Sequence, residues 1–140
     1  MSFDVSALLD LWTRPHPDPA AGVDAFRQLY TDPVRVNGAD LTCAELLQRA
    51  YALQGALADV ERTVLEVCDA GDQVAVAFRL SGRHVGPLGT SAGMLAAIGS
   101  MISLRVIDVL TLTDGRISAI TMVADELGAL APIGAAGLLR

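Results

Sequence analysis

The chain has 140 residues, of which 52% are hydrophobic, 19% charged and 4% aromatic. That length fits one domain with a proper core, and the apolar share excludes a disordered chain. The formal net charge of −6 argues against a nucleic-acid partner; that all ten basic residues are arginine says nothing about mechanism.

At the start of the chain, Met1-Ser2-Phe3-Asp4-Val5 has no basic region followed by an apolar run. No secretory leader is expected, and the chain reads as cytoplasmic. Val5, Leu8, Leu9 and Trp12 recur at helical spacing and predict a helix from Val5 to Trp12. Arg14-Pro15-His16-Pro17-Asp18-Pro19 ends it, because three prolines cannot continue a helix. A second helix, Ala20 to Tyr30, carries Val23, Phe26 and Tyr30 on one stripe. A short strand, Val34 to Val36, stops at the turn Asn37-Gly38. Thr42 with Glu45 three residues on is a capping-box pattern. The helix behind it runs to Leu57 on Leu46, Leu47, Ala50 and Leu53.

The second half reads as strands. Glu61 to Cys68 and Gln73 to Val85 flank a four-residue loop, Asp69-Ala70-Gly71-Asp72. That loop would pair Val67 with Val74, Leu65 with Val76 and Thr63 with Phe78. The uncharged stretch from His84 to Leu104 has the length of a membrane span. It contains Gly86, Pro87, Gly89, Gly93 and Gly99, so it predicts a loop, and no membrane partner is expected. Within it, Met94-Leu95-Ala96-Ala97-Ile98 is an apolar patch suited to a lid or a subunit contact. Met101 to Leu112 and Arg116 to Asp125 form a second hairpin around Asp114-Gly115. Asp125 reads as the N-cap of a short helix or turn, Glu126 to Leu130, which leads into the apolar tail Ile133 to Leu139. Helices followed by antiparallel strands indicate an α+β fold. The expected architecture is one domain over residues 1–140, with N-terminal helices closing a curved, mostly antiparallel sheet into a cone. The inside of a cone is a natural pocket.

Side chains alternate along a strand. Val74, Val76, Phe78 and Leu80 therefore share a face with His84, and Ile102, Leu104, Val106, Leu110 and Leu112 share one with Asp108. A carboxylate among aliphatic side chains must be paired, protonated or open to a wet cavity. Asp108 reads either as the partner of Arg79 or Arg105, or as an acid, base or hydrogen-bond donor in a pocket. His84 reads either as a histidine satisfied by a backbone carbonyl or as a polar group at the pocket rim that can carry a proton. These two are the catalytic candidates. Phe78, Val106, Trp12, Tyr30, Asn37 and Met122 are the candidates for binding a substrate. For Trp12 and Tyr30 the default reading is plain core, and for Asn37 a plain turn.

The register of the last hairpin decides what faces Asp108. A two-residue loop puts Thr121 opposite. A three-residue loop, Thr113-Asp114-Gly115 with Gly115 left-handed, puts Ile120 opposite and Met122 on the same face. The second is favoured, because it gathers the apolar residues. Cys43 and Cys68 fit no metal-ligand spacing and read as buried, reduced thiols. His16 and His84 are the only histidines, so no metal site is expected. There is no phosphate-cradling glycine loop, nucleophile elbow or Ser/His/Asp set.

Four pieces stand in a telling order: Gly82-Arg83-His84-Val85-Gly86, Val106-Ile107-Asp108-Val109, Asp114-Gly115-Arg116-Ile117 and the ending Asp125 to Gly134. Over about Val5 to Gly134 the chain resembles the nuclear-transport-factor-2-like superfamily, and within it the SnoaL-like polyketide cyclases. The resemblance implies a cone-shaped α+β barrel, a homodimer through the sheet, an apolar pocket for a small ligand, and no cofactor. It implies cyclisation, isomerisation or hydration of small apolar molecules by acid/base chemistry or oxyanion stabilisation. The alternatives are a non-catalytic binding protein with the same pocket, or a dimeric interaction module with a filled cavity. The cyclases' catalytic aspartate would fall on Met122, and a pocket histidine of theirs on Asp108. The Ile-Asp-Val segment is also similar to ketosteroid isomerase, whose aspartate at that place is a protonated hydrogen-bond donor. That enzyme's base would fall near Asn37 or Gly38 and its helix-one tyrosine near Leu8. Asp40 is the nearest substitute for the missing base.

Overall fold

Each α-helix opens on a side-chain cap, as short polar residues before an apolar stripe should. In the computed structural model, which describes residues 2–134, Asp4 caps α1 (Val5–Thr13) and Asp18 caps α2 (Pro19–Leu29). Thr42 caps α3 (Cys43–Ala56), with the Glu45 box closed in both directions, and Asp125 caps α4 (Glu126–Leu130). The strands are β1 (Tyr30–Val36), β2 (Ala39–Leu41), β3 (Leu57–Asp69), β4 (Gln73–His84), β5 (Leu88–Thr90), β6 (Gly93–Leu95), β7 (Met101–Thr113) and β8 (Arg116–Ala124). Six of them form one sheet in the order β2-β1-β8-β7-β4-β3, antiparallel except where β1 runs beside β8. The expected α+β cone is what the chain forms. Strand β2 and the small β5–β6 hairpin were not expected; the hairpin lies in the stretch read as a loop.

The helices lie on the concave sheet face. Phe26, Tyr30, Leu46, Leu47, Val76 and Leu110 belong to the main core between the two layers. A smaller core of Ala56, Leu57, Leu95, Ile102, Ala129 and Leu130 closes the other end. An ion pair between Asp10 of α1 and Arg62 of β3 ties the first helix to the edge of the sheet.

Three bulges set the registers of the antiparallel β3–β4 and β7–β8 ladders. The β3–β4 hairpin pairs Asp69 with Val74 and Val67 with Val76, which overturns the expected Val67–Val74 pairing. Asp69 accepts the N–H of Gly71, whose φ is +91°, and Ala70 donates to the Gln73 carbonyl, so the turn closes further out. The ladder slips at Leu65, so that Val64 rather than Thr63 faces Phe78, and slips again at Asp59–Val60, where Asp59 has φ +54°. Gly82 stands across from this last bulge; a Cβ there would come 2.9 Å from the Leu57 Cβ. The outer part of β3 is exposed, and Cys68 with it, so only Cys43 is the buried thiol that was expected.

Asp114 and Gly115, with φ +51° and +80°, form a two-residue turn between Thr113 and Arg116. The favoured three-residue loop is thereby overturned. A bulge at Ser118 then slips the ladder, and Met122 ends opposite Asp108, in place of Thr121 or Ile120. The Ser118 hydroxyl lies 3.3 Å from the Thr111 carbonyl and 2.8 Å from the Thr113 hydroxyl, which satisfies the extra residue. Ile120 and Met122 do share the Asp108 face, as expected. The apolar tail beyond Gly134 lies outside the described residues. Among the described residues no helix is long and apolar enough to cross a membrane.

Candidate functional site

A cavity of about 340 Å³ lies between α1, α3 and the concave face of the sheet. That is a volume suited to a small ligand. Leu9, Leu46, Phe78, Leu80, Val106 and Ile120 make its wall largely apolar. Of the residues singled out in the sequence, Asp108, Trp12, Tyr30, Phe78, Val106 and Met122 all stand on this wall.

Alternation along β7 turns Asp108 inward, with Val76 and Met122 beside it on the neighbouring strands. Its Oδ1 is buried and has no hydrogen-bond partner among the described residues. The ion-pair reading is overturned. Arg79 and Arg105 pair with each other across β4 and β7, one residue out of phase with the Asp108 face, and Arg105 reaches Asp125 at 3.1 Å. Without a counter-charge, burial pushes the Asp108 carboxyl up to about 6.

Tyr30 brings the second polar group. The Trp12 indole N–H donates to its hydroxyl at 2.8 Å. Phe26 holds both rings, edge-on to Trp12 at 5.4 Å and stacked on Tyr30 at 5.6 Å. Burial pushes the Tyr30 phenol well above its ordinary range; the Trp12 hydrogen bond works against that, and the charge on Asp108 adds to it. Tyr30 therefore stays protonated, and among the described residues its own proton has no acceptor. The sequence placed both residues on apolar stripes, but nothing in it links an indole on α1 to a phenol at the end of α2.

His84 and Asn37 do not line the cavity. His84 is on the concave side but at the end of β4, completely buried and paired with Leu57 of the smaller core. Its backbone N–H donates to Ser100 at 2.9 Å, while neither ring nitrogen has a partner among the described residues. Neither the rim position nor the carbonyl-satisfied ring is what this structure contains. Asn37, with φ +48°, makes the β1–β2 turn together with Gly38. Its side chain brackets Met122, accepting from the Met122 N–H at 2.8 Å and donating to the Met122 carbonyl at 3.3 Å. It continues the parallel ladder and fixes the strand that carries Met122. Asp40 is exposed, 3.6 Å from Arg35 and away from the cavity, so it supplies no base there.

Two contributors were not foreseen. Leu88 and Gly89 bring β5 into the wall, while Met94 of the apolar patch points to solvent and Leu95 into the smaller core. Arg49 of α3 also borders the cavity. Its position three after Leu46 and four before Leu53, on the flank of the apolar stripe, was the available signal. Among the described residues no group of three or more His, Cys, Asp or Glu could hold a metal ion.

The family model for SnoaL-like polyketide cyclases matches residues 7–133. The chain belongs to that family. Solved structures of similar fold include TsrD from Streptomyces laurentii, with 20% identity over 94% of this chain and 92% of that one and a TM-score of 0.76. A SnoaL-like polyketide cyclase from Agrobacterium tumefaciens has 12% identity over 92% of each chain and a TM-score of 0.71. IdmH from Streptomyces antibioticus has 17% identity over 93% of this chain and 95% of that one, with a TM-score of 0.70. No curated protein sequence matches. Within the SnoaL-like frame, Asp108 and Tyr30 of this chain are borne by β7 and by the α2–β1 junction.

Proposed function

We propose that this SnoaL-like protein is a cofactor-free acid/base catalyst of ring closure or isomerisation on a small apolar, polyketide-like molecule. The observation that carries the reading is Asp108, a carboxyl without a partner among the described residues in an apolar wall, whose burial pushes it up to about 6. Both of its protonation states are within reach near neutrality, as proton exchange with a substrate carbon or oxygen requires. Protonated, it donates a hydrogen bond to an enolate oxygen, and the Tyr30 hydroxyl offers a second donor on the same wall. One such donor is worth roughly 2.7–4 kcal/mol of barrier. A positioned acid/base group contributes about 10²–10⁴-fold. In this reading the protein works in the cytoplasm as a homodimer. Ile107 and Val123, cross-strand neighbours 53% and 67% exposed on the outer sheet face, supply the apolar contact. Ile107→Glu then gives a monomer in sedimentation.

The test is a titration of a fluorescent fused-ring phenol, an enolate mimic, against the wild type, Asp108→Asn and Asp108→Leu. Clear weakening in both variants supports a site built on Asp108 and justifies a substrate screen. Equal binding by all three proteins removes Asp108 from the chemistry. A second reading, a non-catalytic binding protein, is favoured by Met122: the residue facing Asp108 cannot move a proton. Turnover that depends on Asp108 separates the two readings.

A further inference from the structure

We infer that the cavity takes an amphipathic acid: a flat apolar molecule whose carboxylate pairs with Arg49 at the rim while an oxygen at its other end meets Asp108 and Tyr30. This rests on the proposed use of the cavity and names the class of ligand. Arg49 is the one cation on the cavity wall among the described residues. It is exposed, as is its neighbour on the wall, Ala52, so α3 marks the open side. The Asp108 Oδ1, by contrast, is shut away from solvent.

Arg14, Arg27, Arg35, Arg62, Arg83 and Arg105 each meet a carboxylate. Arg49, Arg79 and Arg116 meet none among the described residues, and of these three only Arg49 stands on the cavity wall. The acid placed to pair with it along the helix, Glu45, four residues earlier, is turned back into the capping box, where it accepts the Thr42 N–H at 3.2 Å. The cap that starts α3 thus leaves this guanidinium unclaimed. A planar guanidinium offers a fork of donors that matches a carboxylate. In a chain of net charge −6, an unpaired cation on the rim of an apolar cavity also draws an anion towards that opening against the overall field.

The experiment uses two fluorescent probes and the full chain at neutral pH. One is a hydroxynaphthoate with hydroxyl and carboxylate at opposite ends of the rings; the other is the naphthol that lacks the carboxylate. The wild type is expected to bind the hydroxynaphthoate about tenfold more tightly, less so as salt rises. Arg49→Gln should abolish the difference without changing naphthol affinity, and Arg49→Lys should keep part of it. Equal affinity of the wild type for both probes, or a preference that survives in Arg49→Gln, overturns the inference. Asp108→Leu reads the underlying proposal separately: it should weaken both probes by the same factor. If it weakens neither, the Asp108 reading falls while the Arg49 result stands. If neither probe binds any of the proteins, both fall.

Discussion

Asp108 and Met122 face each other across the β7–β8 ladder, and both side chains stand on the cavity wall. Directly opposed Cβ atoms on adjacent strands lie about 4.5–5.5 Å apart. A carboxyl introduced at Met122 would therefore meet one that burial already makes hard to ionise. Met122→Asp should titrate as a coupled pair, with its upper step above that of Asp108 alone. Its stability in urea should match the wild type at pH 4 and fall below it by about 2 kcal/mol at pH 8. An unchanged profile would mean that the two side chains do not share a site.

Asp108 makes the wild type sensitive to pH between about 4 and 8, above the range in which the lowered carboxyls of Asp32, Asp69 and Asp125 titrate. Its carboxyl titrates at about 6 in the folded chain and at roughly 3.9 in an unfolded one. A raised acid binds its proton more tightly when folded. The stabilisation is complete below about pH 4 and is lost as pH rises through about 6. The loss should come to roughly 2 kcal/mol, somewhat less than the full shift because solvent partly reaches the group. Asp108→Asn should lack this step in urea unfolding measured from pH 4 to pH 8. A ligand that presents a carbonyl oxygen to the protonated acid should weaken over the same interval in the wild type only.

The Trp12–Tyr30 hydrogen bond offers a different handle. Tyr30→Phe leaves the half-buried indole N–H without its partner and should cost about 1 kcal/mol. Trp12→Phe, which leaves the phenol its own donor, should cost less through this bond. In a double-mutant cycle measured by urea unfolding, the two changes should couple by at least 0.5 kcal/mol or so. Additive effects would show that the 2.8 Å contact carries no energy.

His84 sits completely buried with two unpartnered ring nitrogens among the described residues. Replacing an unsatisfied polar ring by an apolar side chain of similar bulk removes a desolvation cost. His84→Leu should hold or raise the thermal midpoint and leave ligand binding unchanged, since the residue is not on the cavity wall. A loss of binding in that variant, with its stability intact, would bring His84 back into the site.

What could be read from the residues alone was set by short-range chemistry. The Thr42–Glu45 box, the Asp125 cap and the inward face of β7 each depend on a few neighbouring positions, and each was legible. Bulges at Leu65, Asp59–Val60 and Ser118 were not, because a bulge depends on the pairing between strands and leaves no periodic mark. His84 shows the limit of alternation. Phase along β4 assigns the correct face but cannot say that the strand outruns the cavity. Arg49 escaped notice because a search for apolar stripes passes over a long cation on their flank.

The bulge at Ser118 also makes register a chemical variable in this fold. Residues beyond it are held in phase by a single unpaired position, so the same sequence paired without the bulge would turn the far part of β8 over. Thr121 would then be brought opposite Asp108, and a hydroxyl would replace a thioether in front of the acid. Two chains of this kind could thus share nearly every amino acid and still present different reagents to the same ligand, according to whether one strand bulges ahead of the site.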